Sequence, residues 1–410
     1  MAAERSARAR EAMAPSSRTA PAAVPGAASA HAAAPCAVTI VAHDIGSVGG
    51  MERVLEELIV GLRRLGHPVT VIARSCELPP GTDVELHRVW APRRPFLLGY
   101  LWFMLAGSLA LRRHRRGVVQ STGAIVFGRM DTIAVHCCHQ VYSAVPNSGP
   151  ALARSYAALV ARVKRVVERR CYDANRTATF VCVSNGVAAE IREHYPQARE
   201  RVVTIHNGVD IDAFAPGRRA EQARARRGEL GIGPERMVAA FVGGNWEDKG
   251  LRAPIEALAQ APGWELLVAG HGDPEPYREL ARSLGVDRAV HWLGVVSDIQ
   301  LVYEMSDAFV LPSRYETFSL VTFEAAASGL PILATPVSGV LELIDDGRNG
   351  YLIEPRPEAI AVRLRELAAD PALRASLGAA ARASALGFVW ERMVDGHHEL
   401  YRRLAHGARA

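Results

Sequence analysis

The chain has 410 residues, of which 49% are hydrophobic and 22% charged, a balance that excludes wholesale disorder. Forty-eight basic against 43 acidic residues leave a net charge of +5. That charge favours anionic substrates or surfaces but is too diffuse to mark a nucleic-acid binder. Six cysteines at 36, 76, 137, 138, 171 and 182 show neither metal-type pairing nor disulfide density, so a reducing cytoplasm is the expected compartment. The vicinal pair Cys137 and Cys138 reads as buried thiols in or beside a strand.

Residues 1–34 are Ala, Pro, Ser and Arg with hardly any large apolar side chain, and read as a disordered extension. A short apolar run at 37–42 predicts a buried strand, followed by a glycine-rich loop at 43–50. Val54, Leu55, Leu58, Ile59, Leu62 and Leu65 recur at helical spacing, and Gly66 closes that helix. The next strand is 69–73, so the opening reads as a parallel βαβ unit. Strands at 117–120, 132–136, 179–183 and 201–205 complete a first doubly wound domain over 35–212. Residues 213–235 suit a linker with a short helix. A second Rossmann-like domain is expected over 236–387, with strands at 237–242, 264–269, 290–293, 308–311 and 331–334 and helices at 250–260, 274–284 and 319–328. Helices fill 357–406, and the segment 388–410 is expected to pack back on the first domain. The fold class is therefore α/β, with two facing Rossmann-like domains and ligands in the cleft beyond the carboxyl ends of the strands.

The residues with chemical content lie in those strand-to-helix loops. In Pro312-Ser-Arg-Tyr-Glu316-Thr-Phe-Ser-Leu-Val-Thr-Phe-Glu324 a strand ends, Glu316 occupies the loop, and a helix opens near Phe318 or Ser319. Its first-turn amides and partial positive charge make a ready phosphate site. Glu324 follows about 8 Å along the helix axis. Two carboxylates flanking a phosphate site match a nucleoside diphospho-sugar; the plain alternative is a helix-start Glu and a solvated one. Lys249, in Phe241-Val-Gly-Gly-Asn-Trp-Glu-Asp-Lys249-Gly, is one of only two lysines among the basic residues. A compact ammonium enters a tight phosphate pocket that a planar guanidinium does not. Gly49 and Gly50 read as a tight turn or a phosphate-adjacent loop, although G-x-G-x-x-G is absent. His136 ends a strand, with His139 beyond it. The pair lacks a third ligand, and Asp210-Ile-Asp212 reads as structural, so no metal and no cofactor are expected.

The run from Pro95 to Leu111 is apolar throughout, with Arg93 and Arg94 before it and Arg112, Arg113, Arg115 and Arg116 after it. Three readings stay open: a buried helix of the first domain, a helix docked through 93–116 on the inner face of the cell membrane, or a membrane span, whose length seventeen apolar residues barely reach.

The chain resembles glycosyltransferase family 4, the retaining sugar transferases of GT-B fold, whose Glu, seven residues, Glu pattern Glu316 and Glu324 match. The likeness extends over about 37–403 through Gly49-Gly50-Met-Glu52, Cys182-Val-Ser-Asn-Gly186, Ile205-His-Asn-Gly-Val-Asp210 and Trp390-Glu-Arg. It implies that Glu316 holds donor sugar hydroxyls, that Phe318, Ser319 and Leu320 offer backbone amides, and that Glu324 binds the ribose. It further implies that Lys249 lies on the diphosphate beside Gly243 and Gly244, that Gly49 and Gly50 lie near donor phosphate and acceptor, and that His136 is close to the transferring sugar. Gly244 departs from the family, which has Arg there. Base selection is expected in the 269–273 loop, with Gly270, and in the 293–297 loop.

The resulting expectation is a metal-independent retaining glycosyltransferase. It would take a GDP- or UDP-linked sugar and a lipid-linked, glycan or small-molecule acceptor. A sugar-nucleotide epimerase of the same fold and a non-catalytic nucleotide-sugar binder are the alternatives, and nucleic-acid binding is disfavoured because the arginines are scattered.

Overall fold

The computed structural model describes residues 35–46, 49–142 and 151–407, excluding the side chains of 152 and 153. The expected disordered extension at 1–34 lies outside the described residues.

Two all-parallel sheets organise the chain. The first contains β1 (Val38–Val41), β2 (Val69–Ala73), β3 (Glu85–Arg88), β4 (Val118–Thr122), β5 (Thr132–Val135), β6 (Thr179–Cys182) and β7 (Val202–Thr204), in the order β3-β2-β1-β4-β5-β6-β7. The second contains β8 (Met237–Val242), β9 (Trp264–Ala269), β10 (Val290–Gly294), β11 (Ala308–Leu311), β12 (Ile332–Ala334) and β13 (Tyr351–Leu352), in the order β10-β9-β8-β11-β12-β13. In both sheets the order reverses beside the first strand, between β1 and β4 and between β8 and β11. Such switch points leave a crevice at the carboxyl ends where ligands bind. The short apolar runs form strands because both faces are covered: β1, β2 and β9 are buried at every position.

Helix α1 (Gly50–Arg64) buries Val54, Leu55, Leu58, Ile59 and Leu62. The helix α2 (Phe96–His114) covers the apolar run, and α3 (Ala151–Ala174) and α4 (Asn185–His194) follow. The Ser184 hydroxyl accepts from the Val187 amide at 3.2 Å to cap α4. After β7 the chain forms α5 (Ala220–Glu229), whose Arg227 pairs with Asp307; the segment before it is anchored, with Phe214 buried against Tyr303. The second sheet carries α6 (Arg252–Leu258), α7 (Glu275–Ser283), α8 (Ile299–Glu304) and α9 (Leu320–Ala327), and the chain ends with α10 (Pro357–Ala369), α11 (Pro371–Ala385) and α12 (Trp390–Gly407).

The last helix belongs to the core of the first sheet. Trp390, Met393, Val394 and Tyr401 join Val38, Ile40, Leu55 and Leu58 in one buried cluster, and the Tyr401 hydroxyl donates to Gln120 of β4 at 2.7 Å. Gly61 of α1 makes the approach of α12 possible, since a Cβ there would stand 2.3 Å from a Val394 methyl. Gly61→Val should therefore destabilise the protein by about 1–3 kcal/mol despite the better helix propensity, read as a lower urea midpoint at unchanged slope.

The structure adds elements the sequence reading did not give, among them α4, α8 and β13, and departs from it most at three others. Edge strand β3 reads Glu-Leu-His-Arg and has no apolar run to announce it. Helix α3 breaks its apolar pattern with four basic residues before Glu168. The 95–111 run is not a fully buried helix: one face of α2 is core, while Leu98, Leu101, Trp102, Leu105 and Leu109 stand exposed on the other.

Candidate active site

The loops after β5, β8 and β11 converge on a cavity of about 310 Å³ lined by His136, Cys137, Tyr142, Asn245, Asp248, Lys249 and residues 314–317. It thus gathers His136 from the first sheet with Lys249 and Glu316 from the second. Lys249 donates to Glu316, whose same oxygen also accepts from the Ser313 hydroxyl at 2.8 Å. The Glu316 side chain is 8% exposed and the Lys249 side chain 23%. The ammonium is thus paired with a carboxylate of the cavity wall. The Lys249 stem runs past Gly243, its Cε 3.5 Å from where a Cβ would stand.

The second carboxylate sits elsewhere. Glu324, on α9, accepts from Arg53 of α1 at 3.1 Å and from the Tyr303 hydroxyl at 3.2 Å. Burial pushes its carboxyl up, with Arg53 and Tyr303 pulling the other way. Leu320 approaches Gly50 closely, 3.5 Å from a Cβ built there, so the starts of α1 and α9 face one another. Ser319 takes a left-handed conformation with φ 68°, and its hydroxyl pairs with that of Thr322 at 2.8 Å. The α9 first turn consequently has no side-chain cap on its amides. Phe318 is buried, stacked on Phe323 at 4.1 Å, and its carbonyl is closed over by Gly339. Asn245, in the cavity wall, is the other non-glycine residue with positive φ among the described residues. Both strained residues thus lie in strand-to-helix loops of the site.

Gly49, Gly50, Gly243, Gly244, Gly270, Phe318, Ser319, Leu320 and Glu324 do not line the cavity. Gly270 must be glycine: its φ is 127°, and a Cβ would meet the Gly243 carbonyl at 2.0 Å. The space beside Gly244 is filled by the His271 imidazole, whose Cε1 would lie 2.3 Å from a Cβ there. Sequence reasoning missed Arg53, Tyr303 and the cavity residue Tyr142, and it named the loops of His271, Arg314 and Tyr315 without giving those side chains a role. Arg53 adjoins the Gly-Gly-Met-Glu motif and could have been found from it; Tyr303 carries no local signal.

Other contacts join the halves. The Tyr315 hydroxyl donates to Glu190 at 3.0 Å, and Glu342 accepts from the Asn185 amide at 2.8 Å and pairs with His206. Asp210 accepts from the amides of Asp212 and Ala213, turning the chain. Among the described residues no three His, Cys, Asp or Glu are grouped to hold a metal ion.

Burial holds His136 neutral, lowering it to about 4, with His397 adding to the effect. His43, His139 and His397 are likewise lowered to about 4, mainly by burial. Cys137 is pushed up to about 12 by burial and Glu168, so it stays a thiol. Glu168 and Glu190 are pushed up to about 7, again mainly by burial. The unfolded histidines bind protons near 6.5 and the folded ones only near 4, so between those values the unfolded chain binds more protons and acid removes stability. The two glutamates act oppositely: between about 4.5 and 7 they are protonated only in the folded state, and their contribution is lost as pH rises to 7. Those four histidines pull the urea midpoint down as pH falls from about 6.5 towards 4.5, while carboxyls raised by burial, Glu324 among them, pull the other way. His397→Gln should therefore flatten the fall of the midpoint on the acid side; an unchanged curve would contradict the burial of that imidazole.

Comparison with known proteins bears on the family and the fold. Residues 48–213 match the glycosyltransferase family 4 profile, and residues 222–384 match the profile of glycosyl transferases group 1. A D-inositol 3-phosphate glycosyltransferase of Actinosynnema mirum is 30% identical over 388 residues, covering 85% of this chain and 91% of that relative. The chain belongs to glycosyltransferase family 4. A D-inositol 3-phosphate glycosyltransferase of Corynebacterium aurimucosum is 35% identical over 226 residues, covering 52% of this chain and 53% of that relative. This chain thus spans about half the length of several curated relatives it matches. Solved structures of similar fold include WaaG, a glycosyltransferase involved in lipopolysaccharide biosynthesis, with a TM-score of 0.75 at 22% identity over 88% of this chain and 98% of that one. A sucrose-phosphate synthase from Thermosynechococcus elongatus gives 0.73 at 20% identity, covering 92% and 100%. The expected family and the GT-B architecture are both borne out.

Proposed function

We propose that the protein transfers a sugar, with retention and without a metal, from a UDP- or GDP-linked donor to a hydroxyl acceptor. The observation that carries this reading is the convergence on one cavity of Lys249 and Glu316, from the loops at the switch point of the second sheet, with His136, from the loop after β5 of the first. Lys249 meets the diphosphate and stabilises its developing charge, aided by the uncapped amides at the start of α9. Glu316, freed when Lys249 turns to the phosphate, accepts from donor sugar hydroxyls. Glu324 takes the ribose hydroxyls, exchanging its contact with Arg53. Neutral His136 lies on the first-sheet side of the cavity, from which the acceptor approaches. The six cysteines are all free thiols, which supports a reducing, cytoplasmic setting.

The test is thermal shift against UDP-, GDP-, ADP- and TDP-sugars, followed by product analysis with inositol 3-phosphate and a lipid-linked acceptor in parallel. A donor at 100 times its dissociation constant adds about 2.7 kcal/mol of stability. Binding without product in either arm favours a non-catalytic sugar-nucleotide sensor; an isomerised donor favours an epimerase. Turnover abolished by EDTA and restored by a divalent ion would overturn the metal-independent reading.

A further inference from the structure

We propose that the outward face of α2, together with α3, docks the protein on an anionic lipid bilayer. The positions Leu98, Leu101, Trp102, Leu105 and Leu109 fall within an arc of about 100° on α2, and all are exposed, Leu105 by 66%. Trp90, 72% exposed, packs edge-on to Trp102 at 5.9 Å and widens the patch. Helix α3 extends it: the Tyr156 hydroxyl accepts from the Leu97 amide at 3.2 Å, and Tyr156, Leu159 and Val166 are exposed along one stripe. Single exposed apolar residues need no explanation, but a contiguous patch of this size marks an interaction surface.

Charge decides the occupant. Residues 86–130 and 151–167 together contain twelve basic residues and no acidic one. Arg93 and Arg94 stand exposed before α2, and Arg112, Arg113, Arg115 and Arg116 stand exposed at its end and just beyond. An apolar stripe flanked at both ends by arginine and carrying tryptophan is the pattern of a helix lying in the headgroup plane. A second copy of the chain would bring two such basic rims together, which like-charge repulsion opposes. No helix among the described residues is long and apolar enough to cross a membrane, so the contact is peripheral.

The face is also tied to the cavity. Lys164 of α3 lies over the Phe96 ring at 4.8 Å, and one turn on Glu168 accepts from the His139 amide at 3.1 Å, three residues past His136. Docking through α2 and α3 therefore holds the first-sheet side of the cavity near the bilayer. This inference does not depend on the proposed transfer reaction, and its test uses no substrate.

The test is co-sedimentation of the full chain with vesicles of phosphatidylcholine containing about one third phosphatidylglycerol, against phosphatidylcholine alone. Binding to the anionic vesicles should be at least about tenfold stronger and should weaken as salt rises from about 50 to 500 mM. Arg112→Ala with Arg113→Ala should lower it about 25-fold, at about fivefold per charge. Trp102→Glu with Leu105→Glu should abolish it while leaving the melting temperature unchanged, because both side chains are exposed. The proposal is overturned by no binding to anionic vesicles at low salt, by equal binding to neutral vesicles, or by undiminished binding of the glutamate variant. It is equally overturned if light scattering shows a dimer that the glutamate variant dissolves while vesicles are ignored.

Discussion

Lys249→Ala is expected to weaken nucleoside diphosphate binding by about 10- to 150-fold, the loss of one charge-assisted contact worth about 1.5–3 kcal/mol. The free protein pushes the effect towards the upper end. Lys249 neutralises Glu316 there, and without it a carboxylate only 8% exposed faces the incoming phosphates alone. The excess is separable: Lys249→Ala in a Glu316→Gln background should cost less than in the wild type, a coupling that a double-mutant cycle reads directly. Lys249→Arg keeps the charge but must pass a planar guanidinium along the stem's path over Gly243, and is expected to lose activity as well. Isothermal titration with UDP and GDP measures the first effect and steady-state kinetics the second. Wild-type kinetics in Lys249→Arg would sink the tight-pocket argument while leaving the phosphate role intact.

Glu316→Ala should show the opposite split. Its proposed partner is the donor sugar, so kcat should fall by about 10- to 150-fold. Free nucleoside diphosphate should bind as well as before or about two- to fivefold better, because Lys249 no longer has a counter-ion to leave. Glu324→Ala should instead weaken the nucleoside diphosphate itself, with Arg53 left unpaired beside the emptied position. Unchanged turnover in both glutamate variants would remove the basis for placing donor chemistry in this cleft.

The sheets were legible because parallel strands buried on both faces appear as continuous apolar runs, as in β1, β8 and β9. His136 was legible because it closes such a run and Glu316 because it lies in the loop after one, whereas Lys249 stood out as one of two lysines in an arginine-rich chain. Pairings between distant segments were not. Arg53 and Glu324 are 271 residues apart, and their contact arises only when the starts of α1 and α9 face each other. His271 beside Gly244 is similar, since only the fold shows that an imidazole occupies the room the missing side chain leaves. Helix α3 escaped notice because its exposed stripe is itself apolar, which blurs the contrast that periodicity depends on.

The placement of α12 has a consequence for biosynthesis. The first sheet and α1 are made early, yet Trp390, Met393, Val394 and Tyr401, which complete their apolar cluster, are made only after the whole second sheet. A ribosome adding about 5–20 residues per second leaves Leu55, Leu58 and their neighbours without that cover for many seconds after β7 has emerged. Domains usually fold in order of synthesis, but here the half that leaves the ribosome first is the last to be finished. The nascent chain therefore carries an uncovered apolar surface until α12 emerges, and loss of that helix would be felt first by the first sheet.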